Sequence, residues 1–158
     1  TLLEPAIGAL RKDQNIEFVT FGVKPSFPSE HHEWTSFLKN RQGVDYPMAL
    51  DSLELDIGVV PLVDSPYNRC KSNLAVLEYS ALKIPVVASP IENQKNMPIS
   101  YAKNNFEWYQ ELEKLIKDKK LRKERGEKQY DFMKENYNEK DLVKPLMEWF
   151  DKLPKKDM

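Results

Sequence analysis

Apolar positions recur at helical spacing at Leu2, Leu3, Ala6, Ile7 and Leu10, and Arg11-Lys12 close the run. The pattern predicts an amphipathic helix over residues 2–13. Ile16-Glu17-Phe18-Val19-Thr20-Phe21 is β-branched and aromatic, and it predicts a strand ended by Gly22. Pro25 and Pro28 mark a loop. Residues 29–40 are ambiguous, with Trp34, Phe37 and Leu38 suggesting a short helix. Val44 to Pro47 reads as extended, followed by a helical turn from Met48 to Leu53. Ile57 to Leu62 is a continuous apolar run of strand length, the signature of a buried parallel strand. Asp64 to Arg69 is a polar loop, and Ser72 to Leu82 a helix with Leu74, Leu77, Ala81 and Leu82 on its buried side. Ile84 to Ala88 is the next strand, closed by Pro90.

The last third is helical and charged. Ile99 to Ala102 reads as one more short strand. Phe106 to Lys117 is a helix with Trp108, Leu112, Leu115 and Ile116 inward, and Leu121 to Tyr137 is a second. Asn138 caps a third, running to about Leu153 with Leu142, Leu146, Trp149 and Phe150 inward. Short apolar strands alternating with helices predict a parallel sheet covered on both faces. The expected fold is one α/β domain over residues 1–158, a Rossmann-like three-layer α/β/α sandwich with extra C-terminal helices. Ligands in such sheets bind beyond the carboxyl ends of the strands, where the loop from Val63 to Lys71 falls.

Composition changes this picture little. The chain has 158 residues, 41 % apolar and 31 % charged, ordinary values for a soluble domain with a core. A net charge of −1 gives no electrostatic reason to expect nucleic acid or a membrane surface as main partner. Lys117, Lys119, Lys120, Arg122, Lys123 and Arg125 crowd together; a solvated helix face is the plain reading and a basic patch the alternative. The single cysteine, Cys70, allows no intrachain disulfide, which fits a reducing cytoplasm. No apolar run reaches bilayer-spanning length and no signal-peptide pattern opens the chain. It starts at Thr1 without an initiator Met, as an excised domain would.

Candidate chemistry sits in Asn68-Arg69-Cys70-Lys71-Ser72-Asn73-Leu74. A helix N-terminus exposes backbone N–H groups and carries partial positive charge, so it stabilises an anion. Lys71 adds a full charge there and Arg69 another nearby. Two cations at a helix start oppose its dipole unless an external anion offsets them, which points to a phosphate or diphosphate. Positions 71, 74, 75 and 78 share one helix face. Glu78 lies roughly 10 Å along the axis from Lys71, where its carboxylate could accept two hydrogen bonds from a ribose. The alternative is that both are surface residues on an exposed face.

Asp56-Ile57-Gly58-Val59-Val60-Pro61-Leu62, then Tyr67-Asn68-Arg69-Cys70-Lys71-Ser72-Asn73-Leu74 running to Glu78-Tyr79, then Ala81-Leu82-Lys83-Ile84-Pro85-Val86-Val87-Ala88-Ser89 form three linked blocks. Together they resemble the donor-binding C-terminal domain of GT-B fold glycosyltransferases of group 1, and Glu107-Trp108 looks like that family's later region. The resemblance implies that Lys71 contacts the donor diphosphate, assisted by Arg69. It implies that the amides of Ser72, Asn73 and Leu74 cradle the phosphate oxygens, and that Glu78 binds the ribose. A nucleotide-diphosphate sugar would be the substrate, with no metal and no other cofactor. The acceptor would sit on an N-terminal domain of the same enzyme, so this chain would be inactive alone, and peripheral membrane contact would come through the full-length enzyme. The first strand and glycine-rich loop of the family's domain would lie before Thr1. Two positions depart from the family pattern: Cys70 stands where retaining members carry a first glutamate, and Lys83 where a glycine ends the helix. These departures favour the rival reading, a non-catalytic nucleotide- or partner-binding module. A flavodoxin-like receiver domain would need an acidic cluster at its strand ends, which the sequence lacks.

Other signals are weaker. His31-His32 has only Glu30 and Glu33 beside it and reads as a polar loop or helix start rather than a metal site. Cys70 sits beside cations that would favour thiolate, but no base is oriented on it. Gly22-Val23-Lys24 follows a strand end and reads as a plain loop or as an approach to a nucleotide base. The C-terminal helix would cross to the partner domain if the resemblance holds.

Overall fold

The computed structural model describes residues 3–21, 28–32 and 46–153. Helix α1 (Glu4–Asp13) has Glu4 and Pro5 in its first turn and Arg11 and Lys12 in its last, which suits its dipole. It buries Ala6, Ile7 and Leu10. The strand predicted from Ile16 is shorter, β1 (Val19–Phe21), and pairs in parallel with β2 (Glu30–His32). Glu30-His31-His32 is therefore a strand, not the loop or helix start its residue types suggest. Ladder pairing with β1 overrides weak intrinsic preference. The readings at Gly22 to Lys24 and at Trp34 to Leu38 lie outside the described residues.

Tyr46 and Pro47 belong to helix α2 (Tyr46–Asp51) rather than to an extended piece. Proline is accommodated in a first turn because its missing N–H would have no intrahelical partner there. Next come β3 (Gly58–Val60), α3 (Pro66–Arg69), α4 (Leu74–Ala81) and β4 (Val86–Ala88). A 3-10 turn at Glu92–Gln94, β5 (Ser100–Tyr101), α5 (Asn105–Lys117), α6 (Lys119–Asn136) and α7 (Glu139–Asp151) complete the order. The protein is mixed α/β, with a parallel sheet ordered β3-β4-β5 and a separate parallel pair β1-β2.

The core lies on both faces of β4. Val87 joins a cluster with Leu3, with Ile7 and Leu10 of α1 and with Trp108, Leu112 and Leu115 of α5. Val86 and Ala88 join Val60, Val76, Met97 and Ile99 on the other side. This is the period of two expected of a strand covered on both faces.

Helix α5 is capped reciprocally. Asn104 Oδ1 accepts the Glu107 N–H at 3.0 Å, and Glu107 Oε2 accepts the Lys103 N–H at 2.8 Å. Asp118 caps α6 by accepting the Leu121 N–H at 2.9 Å. The cation crowd predicted near here disperses. Arg122 donates to the Leu115 and Ile116 carbonyls at the end of α5, and Arg125 reaches Ser100 and Glu111. Lys117 pairs with Glu113, while Lys119, Lys120 and Lys123 face solvent.

Helix α6 is tied to the central strand by Gln129, which is 1 % exposed. Its Nε2 donates to the Ile84 carbonyl at 3.1 Å and its Oε1 accepts the Val86 N–H at 3.0 Å. The same helix approaches the turn after α4 at Gly126, where an added Cβ would lie 1.9 Å from the Lys83 carbonyl oxygen. Lys83 has φ 58°, the left-handed conformation a glycine would adopt freely.

Two predicted faces are corrected. In α4 the buried residues are Val76 and Ser80, while Leu74 is 56 % exposed and Ala81 is exposed. The face turned inward is the one that meets β3, β4 and α6, and the Ser80 hydroxyl is satisfied by the Val76 carbonyl at 2.7 Å. In α7, Leu146, Trp149 and Phe150 are each more than half exposed. The helix is amphipathic, but none of the described elements packs closely on its apolar face. No helix among the described residues is long and apolar enough to cross a membrane.

Candidate functional site

Strand β3 ends at Val60, and the chain beyond it is held to the residue following β4 by the Leu62 N–H, which donates to Ser89 Oγ at 3.0 Å. The loop expected from Asp64 contains helix α3, capped by Ser65 Oγ accepting the Asn68 N–H at 3.2 Å. The Asn68 side chain returns to the Val63 carbonyl at 2.8 Å. These bonds fix the turn that delivers Cys70, Lys71 and Ser72 to the start of α4.

Lys71 is exposed, lies 4.9 Å from the centre of the Tyr67 ring, and has no carboxylate partner among the described residues. Arg69 differs. Its Nε and Nη2 donate to Asp64 at 2.6 and 2.9 Å, a two-point pairing that raises the guanidinium pKa and lowers that of the carboxyl. The Asp64 charge thus offsets the Arg69 cation, and Lys71 is the less compensated of the two. Cys70 ends α3 and is an exposed free thiol.

Asn73 precedes α4, yet its side chain does not cap the helix. It donates instead to the Tyr137 hydroxyl at 2.6 Å and meets Met97 Sδ at 3.4 Å. The backbone N–H groups of Ser72, Asn73, Leu74 and Ala75 donate to no protein acceptor among the described residues. No acidic side chain lies in the first turn of α4. The turn is an uncapped row of donors beside one lysine, the arrangement that favours an anion.

One turn further along α4, Glu78 is half-buried and makes no hydrogen bond or ion pair within the described residues. Burial pushes its carboxyl above the ordinary range. Tyr46 is raised by its own burial and then by the Glu78 charge. Tyr79 is pushed up to about 12, by burial first and then by Tyr46 and Glu78. Its ring covers Gly58, where a Cβ would meet ring carbons at 2.7 to 2.9 Å. That contact sets the rotation of α4 against β3 and so helps to aim Glu78.

The structure therefore brings Lys71, Ser72, Asn73 and Leu74 together at one helix start, with Glu78 on the same helix and Arg69 turned to Asp64. It adds Asn93, which the sequence reading missed. Asn93 Nδ2 donates to the carbonyls of Lys71 and Asn68, the latter at 3.3 Å, with that of Ser72 at 3.5 Å. Its position just after the carboxyl end of β4 was the available signal. Among the described residues no group of three His, Cys, Asp or Glu side chains is placed to hold a metal ion. Comparison with protein-family models, with curated proteins and with solved structures found no match.

Proposed function

We propose that the chain is the donor-binding domain of a GT-B fold glycosyltransferase of group 1, a Rossmann-like three-layer sandwich acting in the cytoplasm. It would bind a nucleotide-diphosphate sugar for transfer to a carbohydrate or lipid-linked acceptor held by an N-terminal domain. One observation carries the reading: Lys71, which has no carboxylate partner among the described residues, stands beside the uncapped first turn of α4 on the loop after β3. In this reading the departing diphosphate is stabilised by Lys71 and by the amides of Ser72, Asn73 and Leu74, as a preorganised anion site would do. Glu78 accepts hydrogen bonds from the ribose hydroxyls. Arg69 assists only by exchanging Asp64 for the ligand. No metal is required for this charge stabilisation.

The test is calorimetric titration with UDP, GDP and ADP and with their sugar conjugates. A nucleoside diphosphate should bind, and Lys71→Ala should weaken it by about 1.5–3 kcal/mol, the range for a hydrogen bond to a charged group. Absence of binding, or binding indifferent to Lys71 and Glu78, sinks the reading. The rival, a non-catalytic module, is favoured by the exposed Cys70 where the family's first glutamate would stand. It predicts that the sugar conjugate binds no better than the bare diphosphate and that the full-length protein transfers no sugar.

A further inference from the structure

The chain leaving β4 makes the 3-10 turn at Glu92–Gln94, and Tyr101 of β5 fixes that turn. The Tyr101 hydroxyl donates to the Gln94 carbonyl at 2.5 Å and accepts the Met97 N–H at 3.2 Å. The turn carries Asn93, which is half-buried. Its Nδ2 faces three backbone carbonyls before α4, those of Asn68, Lys71 and Ser72. A trans peptide is planar, so the carbonyl of one residue and the N–H of the next point in opposite directions. There is no cis peptide among the described residues. Drawing the Lys71 and Ser72 carbonyls to one amide therefore turns the Ser72 and Asn73 N–H groups the other way, away from Asn93. Neither N–H meets a protein acceptor among the described residues. Successive backbone N–H groups aimed to one side form a concavity for an anion. At its other end, Asn93 Oδ1 is buried and accepts no hydrogen bond among the described residues. A buried acceptor left unmet is destabilising, so what the Nδ2 bonds contribute to stability is largely cancelled at Oδ1.

We infer that Asn93 is a positioning residue for the diphosphate, acting through the backbone of Lys71 and Ser72 to aim the Ser72 and Asn73 amides at the phosphate oxygens. The inference rests on the donor-site reading above and adds to it the group that sets the direction of its amides. Asn93 itself touches no phosphate. Its donor is engaged by carbonyls, and its oxygen would repel an anion. The Lys71 ammonium is a point charge on a flexible stem and attracts phosphate from many directions. The amides are held by the backbone and accept only one direction, which is the preorganised part of the site. A side chain that orients much and stabilises little should separate affinity from stability when it is replaced. A plain structural tie would not.

The test compares the parent with Asn93→Leu, which keeps the shape of the side chain and removes both polar ends, and with the smaller Asn93→Ala. Lys71→Ala is the control for the site. UDP, GDP and ADP are the probes, read by calorimetry and by the NMR shifts of the Ser72 and Asn73 amides, with thermal unfolding alongside. In the parent, the bound diphosphate should move both amide protons downfield. Asn93→Leu should hold Tm within about 4 °C of the parent and weaken the diphosphate at least about fivefold. At saturation its Ser72 and Asn73 amides should move less than those of the parent, and Asn93→Ala should act in the same direction. The inference falls while the donor-site reading stands if Lys71→Ala weakens binding but both Asn93 variants lose less than that. It falls in the same way if the parent binds and its Ser72 and Asn73 amides do not move. A larger drop in Tm in both variants makes Asn93 a structural tie and also overturns it. A parent that binds none of the three diphosphates removes the donor-site reading and this inference together.

Discussion

Gly126→Ala and Gly8→Ala are the same change in helix interiors, and the structure gives them opposite signs. Helix propensity alone favours alanine by about 1 kcal/mol at each. At Gly8 in α1 an added Cβ meets nothing within 4 Å, so the full gain should appear. At Gly126 the Cβ would stand 1.9 Å from the Lys83 carbonyl oxygen, against an ordinary contact of 3.4 Å or more. Both sides of that contact are backbone, so α6 and the turn after α4 must part by about 1.5 Å. Overpacking of this kind costs about 1–3 kcal/mol. Gln129 sits one turn further along α6, and its bonds of 3.1 and 3.0 Å to Ile84 and Val86 would stretch past useful length. Buried groups left unmet cost about 1–3 kcal/mol each. The net loss should be on the order of 2–5 kcal/mol after the propensity gain. At about 2–4 °C per kcal/mol for a chain of this size, Tm should fall by roughly 4–20 °C. Gly8→Ala should raise it by about 2–4 °C. Thermal and urea melts on the three proteins settle the matter, with Val86 amide exchange as a local readout. A Gly126→Ala protein as stable as the parent would refute the packing argument.

Three further outcomes are expected. Lys83→Gly relieves a left-handed lysine, worth about 1–2 kcal/mol, but loses the exposed Glu127 pair at 2.9 Å and the Tyr130 ring at 4.9 Å, each under about 1 kcal/mol. Urea melts should find it within about 1 kcal/mol of the parent and Lys83→Val clearly worse; equal stability of the two variants would show that the backbone conformation carries no strain. Burial raises the Glu78 pKa, so the native state holds that proton longer than the unfolded chain does. Its contribution is fullest below the ordinary carboxylate range and is lost as pH rises through the raised value. Glu78→Gln should therefore match the parent near pH ~3 and exceed it near pH ~7, and a gap that does not change with pH rejects this. Gly58→Ala should cost about 1–3 kcal/mol by driving a Cβ into the Tyr79 ring, and Tyr79→Leu in the same chain should recover part of it. Full additivity of the two changes would mean that they do not touch.

Where one face or both faces of an element are apolar, the chain announced its structure. Ile57 to Leu62 and Ile84 to Ala88 mark β3 and β4, and Trp108, Leu112 and Leu115 mark the inner face of α5. The misses have a common cause, since a local pattern does not say which neighbour is present. Glu30-His31-His32 is a strand because β1 lies beside it. Leu74 is exposed because the start of α4 projects from the sheet, and Trp149 is exposed because no described element closes over α7. The run from Asn68 to Glu78 was legible as a helix start with cations and a later carboxylate. The Asp64 pairing that offsets Arg69, and the amide of Asn93 that reaches back to Lys71, depend on folding over 5 and 22 positions that no spacing rule covers.

Gln129 has a consequence for aggregation. Strand β5 is two residues long and first meets β4 at Val87, which leaves the Ile84–Val86 stretch of a very apolar strand with an open side. Such edges template pairing between molecules. One side-chain amide, presented from α6, takes the place of the missing backbone and closes it. Because a glutamine guards that edge, β5 need not be longer. The chain between β4 and β5 is free to carry Asn93 to the candidate site instead of extending the sheet.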